Sequence, residues 1–456
     1  MKTVADHFRP FSQENLLDIY NQKISTSETV GLDRVHPAAL GKVINEQTLI
    51  IEKKVRSGTY QFTPFKEVLL PKGAGSPPRL VSLPTARDRI VLRALYEILL
   101  AAFPEAVSEI AQIKIASIVG SMTRYNFGEF IKVDVTQFYP SISHAQLLDK
   151  IKTRIREPEI LALIERAITT ATVPASRGGK GAPKNSKGVP QGLAISNVLA
   201  QLYMGDFDKQ MCLNKAILYQ RYVDDILVLC PTGEASNTYG KMYGALHDIG
   251  LTPHELNDVG SKSKSGLISS EFEFLGYRFA DRLISVRKSS ILKLESAFAN
   301  IFTTYSHMLD SANTSLKIQR ARDLCEFRLN LRITGCIHEG KRLGWVFYFS
   351  QITDISKLRG LDHTVDCLLK RFHLTGQIKV KRLLKSFYEA KRTDKTSHSY
   401  ITDFDQMSVE RKRQILSFLT GHYEKIKTCT DDEIVNLFKL KIHRVVQELQ
   451  KNLVES

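Results

Sequence analysis

An α+β fold is predicted by three regimes of pattern along the chain. Residues 121–285 alternate short β-branched runs with helical segments. Residues 1–120 mix helical stretches with a basic loop containing Pro and Gly, from Pro71 to Arg79, after which PTARDRIV reads as a helix start. Beyond Ser289 the reading is mainly helical: ILKLESAFANIFTTYSHML and SLKIQRARDLCEFRLNL carry apolar residues at helical spacing with basic residues between them. One interruption is predicted there, a β-hairpin made of RITGCI, a turn at Glu339-Gly340, and GWVFYF. Helix resumes near Ile355, and the polar stretch Lys391–Asp403 reads as a loop. At 456 residues the chain has room for two to four structural units and a large core.

The charge balance narrows the partners. Lys and Arg number 64 against 48 Asp and Glu, a formal charge of +16, which favours a polyanion, nucleic acid first. An anionic membrane surface would also suit the charge. However, no apolar run is long enough to span a bilayer, and the polar start MKTVADHFRP carries no signal peptide, so a cytoplasmic protein is expected. The six cysteines, Cys212, Cys230, Cys325, Cys336, Cys367 and Cys429, form no CxxC pair. That argues against a zinc ribbon and against a disulfide framework, and buried reduced thiols are expected instead.

The sharpest chemical signal is Tyr222-Val223-Asp224-Asp225, set between the β-prone runs AILYQRYV and ILVLC. Unpaired carboxylates inside a strand would cost several kcal/mol, so the two aspartates are expected at or beside a hairpin turn. A surface turn rich in Asp would explain that tetrapeptide alone. A second acid changes the reading: FIKVDVTQFYPSI puts Asp134 inside another apolar strand, where it needs a partner or a metal. Strands presenting Asp134 and Asp224 side by side would hold two Mg²⁺ ions about 3.5–4 Å apart, the geometry for in-line displacement at phosphorus. Between them, GVPQGLAISNVLAQLYMGDFD is a Gly-Pro turn running into a helix. There Gly192 permits close backbone approach to a ligand, and Gln191 can hydrogen-bond a nucleotide or template. Earlier, Lys72 and Arg79 are seven residues apart across a turn, which can bring both cations to one side of a hairpin, suited to nucleotide phosphates. Arg87 and Arg89 fit structural or template-backbone contacts better.

In this order the four pieces resemble the reverse transcriptase superfamily from roughly Gly31 to Tyr277, more than half the chain. The family's motif A matches Asp134 through Ile142, motif B Gly188 through Asn197, and motif C residues 222–225. The resemblance implies a right-hand polymerase with fingers and ferredoxin-like palm, helical thumb and mainly α-helical C-terminal extension. Its parts would be fingers over 1–120, palm with an interleaved fingers segment over 121–285, thumb and hairpin over 286–350, and a helical domain over 351–456. It further implies catalysis by Asp134, Asp224 and Asp225, with Val135 joining them as a ligand of two Mg²⁺ ions, for which Mn²⁺ can substitute. Lys72, Arg79, Tyr139, Gln191 and Lys262 would bind the nucleotide. Tyr139 matches the aromatic gate that excludes a 2′-hydroxyl, so the product is DNA; for Tyr139 and the adjacent Phe138, packing against the palm is the alternative role. Lys262 or Lys264 falls where the family places a proton-donating lysine, and SKSKSG leaves the two open. Phe274-Leu275-Gly276-Tyr277 is similar to the primer-grip hairpin.

Within the superfamily, SGTYQFTPFKEVLLPK resembles group II intron and related bacterial enzymes. The Asn-Ala-x-x-His and Val-Thr-Gly elements of retrons are not found, nor are ribonuclease H or integrase carboxylates. Motif B and RLNLRITGCIHEGKRLGWVFYFSQITD are similar to the defence-associated and abortive-infection reverse transcriptases of bacteria. That similarity implies a structured noncoding RNA as template, dNTPs, a DNA product, and oligomers or an accessory defence protein, with no membrane. Other readings are an intron- or retron-derived enzyme and an RNA-binding scaffold whose catalysis is dispensable. Of the remaining features, the 176–188 basic loop could contact RNA, Trp345 is expected in the core, and His307, His363 and His443 are isolated.

Overall fold

The computed structural model describes residues 8–71, 77–176, 181–281, 283–392 and 400–451. It divides into two compact units, one of residues 1–109 with 127–266 and the other of 110–126 with 267–456.

The first unit is organised by helix α1 (Ala86–Ala102). Thr85 caps it, accepting from the Asp88 amide at 3.1 Å, as the Thr-x-x-Asp spacing in PTARD predicts. Ile90, Val91, Leu92, Ala94, Leu95, Ile98 and Leu99 are all buried, so the helix is a core element with little free face. The Asp88 carboxylate is buried at its N-terminus. It accepts from Tyr60 Oη at 2.7 Å, Thr63 N at 3.1 Å and Thr85 Oγ1 at 2.8 Å. Three donors compensate its desolvation, and they pin the segment leading into strand β1 (Phe65–Leu70). Antiparallel β2 (Arg79–Leu83) pairs with β1, Leu70 opposite Arg79. The Arg87 and Arg89 contacts are structural: Arg87 lies over the Tyr60 ring, and Arg89 Nη1 bonds Ser27 and Thr29.

β3 (Glu129–Thr136) is the middle of the second sheet, while β4 (Thr172–Val173) runs parallel to β1. Hairpin strands β5 (Leu218–Tyr222) and β6 (Asp225–Cys230) join β3 on one side, and β7 (Thr252–Pro253) pairs on the other. β6 is apolar and buried throughout Ile226–Cys230. Helix α2 (Ser196–Leu213) contributes Val198, Leu199, Leu202, Tyr203 and Phe207 to the same core.

In the second unit, β8 (Glu271–Phe274), β9 (Tyr277–Ala280) and β10 (Leu283–Val286) form an antiparallel meander. The predicted helices follow at Lys288–Asp310 and Ser315–Thr334. The expected hairpin is only partly right. Its turn lies at Glu339 and Gly340, both at positive φ, but the strands are β11 (Cys336–His338) and β12 (Lys341–Leu343), and RIT closes the preceding helix. GWVFYF is not a strand: Trp345–Tyr348 is one helical turn, entered through Gly344 at φ 123°. A Cβ on Gly344 would stand 2.6 Å from Gly335 Cα, so two glycines touch where the chain turns, and Trp345 is in the core as expected. The tail is helical again at Ile355–Arg371, Leu383–Lys391, Val409–Thr420 and Asp431–Lys451. Within the stretch read as a loop, residues 393–399 lie outside the described residues, but Thr402–Asp403 is a short strand, β13, parallel to β11. Cysteine burial is mixed: Cys230, Cys325 and Cys336 are buried, Cys429 partly so, while Cys212 and Cys367 are exposed, contrary to expectation.

Replacing Asp88 by Ala strips the acceptor from three donors. It is expected to lower unfolding free energy by about 2–5 kcal/mol in urea denaturation, and Asp88→Asn by less.

Candidate active site

The site begins as a matter of strand register. Alternation along β3 buries Ile131, Val133 and Val135 and leaves Lys132, Asp134 and Thr136 on the partly exposed face. Antiparallel pairing then puts Asp134 directly opposite Asp225, the first residue of β6. The same Asp225 pairs with Tyr222 across the β5–β6 hairpin, leaving Val223 and Asp224 as a two-residue turn. Val223 has φ 59°, a left-handed conformation that costs a β-branched residue about 1–3 kcal/mol. All three sequence-predicted aspartates therefore meet at one end of the sheet.

Their electrostatics demand cations. Asp225 Oδ1 is buried and accepts no hydrogen bond; Lys132 Nζ stands 3.7 Å away. Burial pushes the Asp225 carboxyl up to about 7; Lys132 opposes that rise, and the charges of Asp224 and Asp134 add to it. Asp134 Oδ2 is flanked by His254 Nε2 at 3.4 Å and Lys262 Nζ at 3.7 Å. The strand edge supports this: the Asp134 amide donates to buried Ser263 Oγ, and its carbonyl accepts from the His254 amide. Of the two candidate lysines, Lys262 is therefore the one beside the carboxylates. Among the described residues no three acidic, His or Cys side chains form a ready-made metal cage.

The segment 188–192 joins this centre to β2. Val189 N bonds Tyr139 O at 2.9 Å, Gly188 N bonds Ile142 O at 2.8 Å, and Ser82 N bonds Gln191 O at 2.6 Å. The expectation for Gly192 needs correcting. Its φ of 104° lets the backbone close on β2, where a Cβ would stand 2.7 Å from Val81 Cγ1 and 2.9 Å from Ser82 O. The close approach is to a neighbouring strand rather than to a ligand. Phe138 is buried in the core, whereas Tyr139 is half-buried and its hydroxyl donates to Asn197 Oδ1 at the start of α2. Burial pushes the Tyr139 hydroxyl up to about 12, Asp224 adds to the rise and Arg79 counters it. Tyr139, Asp224 and Arg79 thus share one electrostatic neighbourhood.

Residues 70–279 match the family model described as reverse transcriptase (RNA-dependent DNA polymerase). The chain carries a reverse transcriptase domain. It is similar to protein YkfC of Escherichia coli (strain K12), 25% identical over 214 residues, 43% of this chain and 52% of that protein. A 91 kDa protein in the cob intron of Schizosaccharomyces pombe is 25% identical over 167 residues, 35% of this chain and 20% of that one. The chain thus spans about half the length of the bacterial relative and a fifth of the yeast one. Among solved structures, apo telomerase from Candida tropicalis aligns over 92% of this chain and 70% of its own, at 14% identity and a TM-score of 0.43.

The other predicted residues of the reverse transcriptase domain and its flank fare unevenly. Arg79 opens β2, while Lys72 lies outside the described residues. Gln191 is half-buried and its carbonyl is taken by β2. Phe274-Leu275-Gly276-Tyr277 is a hairpin with both turn residues at positive φ. Phe274 and Tyr277 are fully buried, the Tyr277 hydroxyl bonds Tyr348 O, and the Leu275 and Gly276 carbonyls accept from Tyr348 Oη and Arg287 N. Sequence reasoning passed over His254 and Lys132 beside the carboxylates, Ser263 at the Asp134 amide, and Asn197 as the partner of Tyr139. A lysine two residues before Asp134 in a strand shares its face, and that spacing was the available signal.

Gly192→Ala is expected to cost about 1–3 kcal/mol of stability, from positive φ and the clash with β2, read as a lower denaturation midpoint.

Proposed function

We propose that this chain is an RNA-directed DNA polymerase that copies a partner noncoding RNA into DNA in bacterial antiphage defence. The observation that carries the polymerase reading is the opposition of Asp134 and Asp225 across β3 and β6, with Asp224 in the adjoining turn.

Reverse transcriptases generally use divalent metal ions such as Mg²⁺. The donor set here fits one: hard carboxylate oxygens, one of them buried without a hydrogen bond. Asp134, Asp224, Asp225 and the Val135 carbonyl would hold magnesium, or manganese in its place. When bound, such ions lower the pKa of the primer 3′-hydroxyl and neutralise charge developing on the triphosphate.

The chain's own residues complete the reaction. Lys262 Nζ, beside Asp134, is the proton donor to the departing pyrophosphate. Arg79, with Lys72, binds the phosphates, Gln191 contacts nucleotide or template, and the Leu275-Gly276 turn steadies the primer backbone. The Tyr139 ring, held by Asn197, lies under the sugar and excludes a 2′-hydroxyl. In the hand-like division, fingers, palm, thumb and helical domain correspond to 1–120, 121–285, 286–350 and 351–456. Residues 287–456 carry 30 Lys and Arg against 19 Asp and Glu, a surplus suited to phosphate backbones.

Support for defence is the similarity of motif B and of residues 328–354 to the defence-associated group. A second reading, an intron-derived mobility enzyme, is favoured by the cob intron relative. Sequencing nucleic acids that copurify before and after infection separates them: cDNA of one noncoding RNA supports defence, and intron-flanked product supports mobility.

With RNA template, primer, dNTPs and Mg²⁺, the purified chain should make DNA. Asp134→Asn or Asp224→Asn with Asp225→Asn should reduce synthesis by about a thousandfold or more. Chelation should stop the reaction and added Mg²⁺ restore it; equal synthesis by the aspartate variants would refute the assignment. A double Asp224→Ala, Asp225→Ala chain that still protects cells would instead support the scaffold reading. Tyr139→Ala should raise ribonucleotide incorporation about tenfold or more, measured as the ratio of kcat/KM for rNTP over dNTP.

A further inference from the structure

We infer that Arg221 is the positioning residue of the 222–225 turn, holding Val223 in its left-handed conformation through a buried guanidinium anchored on α2. The inference rests on the polymerase reading and adds to it the part that sets the aim of Asp224.

Arg221 is 5% exposed, an unusual place for a permanent cation. Alternation along β5 sends Tyr219 and Arg221 to the same face. Along α2, Gln201 and Asp208 are seven residues apart, two turns on one face. The two faces meet. Arg221 Nε and Nη2 grip the two carboxylate oxygens of Asp208, Nη2 also donates to Gln201 Oε1 at 2.6 Å, and Tyr219 Oη donates to Asp208 Oδ1 at 2.6 Å. The remaining nitrogen, Nη1, donates to the carbonyl of Val223 at 2.8 Å.

That carbonyl belongs to the peptide joining Val223 to Asp224, so fixing it fixes the plane from which the Asp224 side chain departs. Val223 has a reason to leave its conformation, since positive φ crowds a β-branched side chain. A rigid fork, neutralised by Asp208 and shielded from water, opposes that relaxation. Lysine keeps the charge facing Asp208 but lacks the fork to hold both Asp208 and the Val223 carbonyl. Glycine at 223 takes positive φ without strain, so it removes the need for the brace.

The test is primer extension by the full chain on an RNA template with Mg²⁺ and dNTPs, comparing wild type, Arg221→Lys, Val223→Gly and the double variant. Arg221→Lys should lose about tenfold or more in kcat, with KM for dNTP changed less than about twofold. The double variant should return to within about threefold of Val223→Gly alone, because the defect and its cure act on the same peptide. Wild-type kcat in Arg221→Lys, or losses that multiply in the double variant, would overturn the inference. If Arg221→Lys melts below the assay temperature, Gln201→Leu takes its place. It strips one acceptor from the fork, with an expected loss of about threefold that Val223→Gly again suppresses; an unsuppressed loss overturns the inference. A wild-type chain inactive on every RNA template would remove the polymerase reading itself, a result distinct from any pattern among the variants.

Discussion

The pairing of β3 with β6 is the constraint on which the first unit depends. Opposition of Asp134 and Asp225 brings two carboxylates together at the end of a sheet in which β6 is apolar and buried, as are alternate residues of β3. A slip of one residue would turn Asp134 into the core and Val133 and Val135 out of it, so the hydrophobic pattern that stabilises the sheet also determines where the acids stand. The acids carry a cost, visible in the raised Asp225 carboxyl and its unbonded Oδ1. Lys132 offsets part of that cost at Asp225, and Lys262 stands beside Asp134. What they leave is a concentration of negative charge suited to hard cations.

Around this pairing the structure spends backbone strain and glycine freedom on close packing. Val223 and Gln137 both have positive φ, one in the turn beside Asp225 and the other just before the Phe138–Ser141 helical turn that presents Tyr139. Gly188 and Gly192 take positive φ so that the segment between them can lie against Pro140 and β2. The result is a chain of direct contacts from β2 through residues 188–192 to Tyr139, and from Tyr139 through Asn197 to α2. Helix α2 reaches the carboxylate turn again through Asp208 and Arg221. Tyr139 and the carboxylate turn are thereby both tied to one helix.

The second unit follows a different logic. Its meander and helices bury large aromatic groups, Phe274, Tyr277, Phe298, Phe302 and Phe349 among them. A second cluster forms around Leu331, Cys336, Phe404, Phe438 and Ile442. Hydroxyls bridge the meander to the helical turn after Gly344, with Tyr277 bonding Tyr348 O and Tyr348 bonding Leu275 O. Buried tyrosines thus satisfy carbonyls that a tight turn and a short helix would otherwise leave unpaired.

The sequence alone determined the α+β class, the long helices beyond Ser289, a hairpin turn at or beside Asp224-Asp225, and the meeting of Asp134 with that pair. Each of these follows from local periodicity, turn chemistry, or the rule that an acid in an apolar strand must find a partner. Tertiary structure decided what local pattern cannot carry. The apolar run GWVFYF has no period that separates strand from helix, and in the fold it is a helical stub entered where Gly344 meets Gly335. Gly192 reads as a ligand contact until β2 is seen against it. Arg221, Asn197 and His254 meet partners 13, 58 and 120 residues away, a matter of which faces pack together. Residue spacing fixes the face a side chain occupies, but the folded packing alone decides what that face meets.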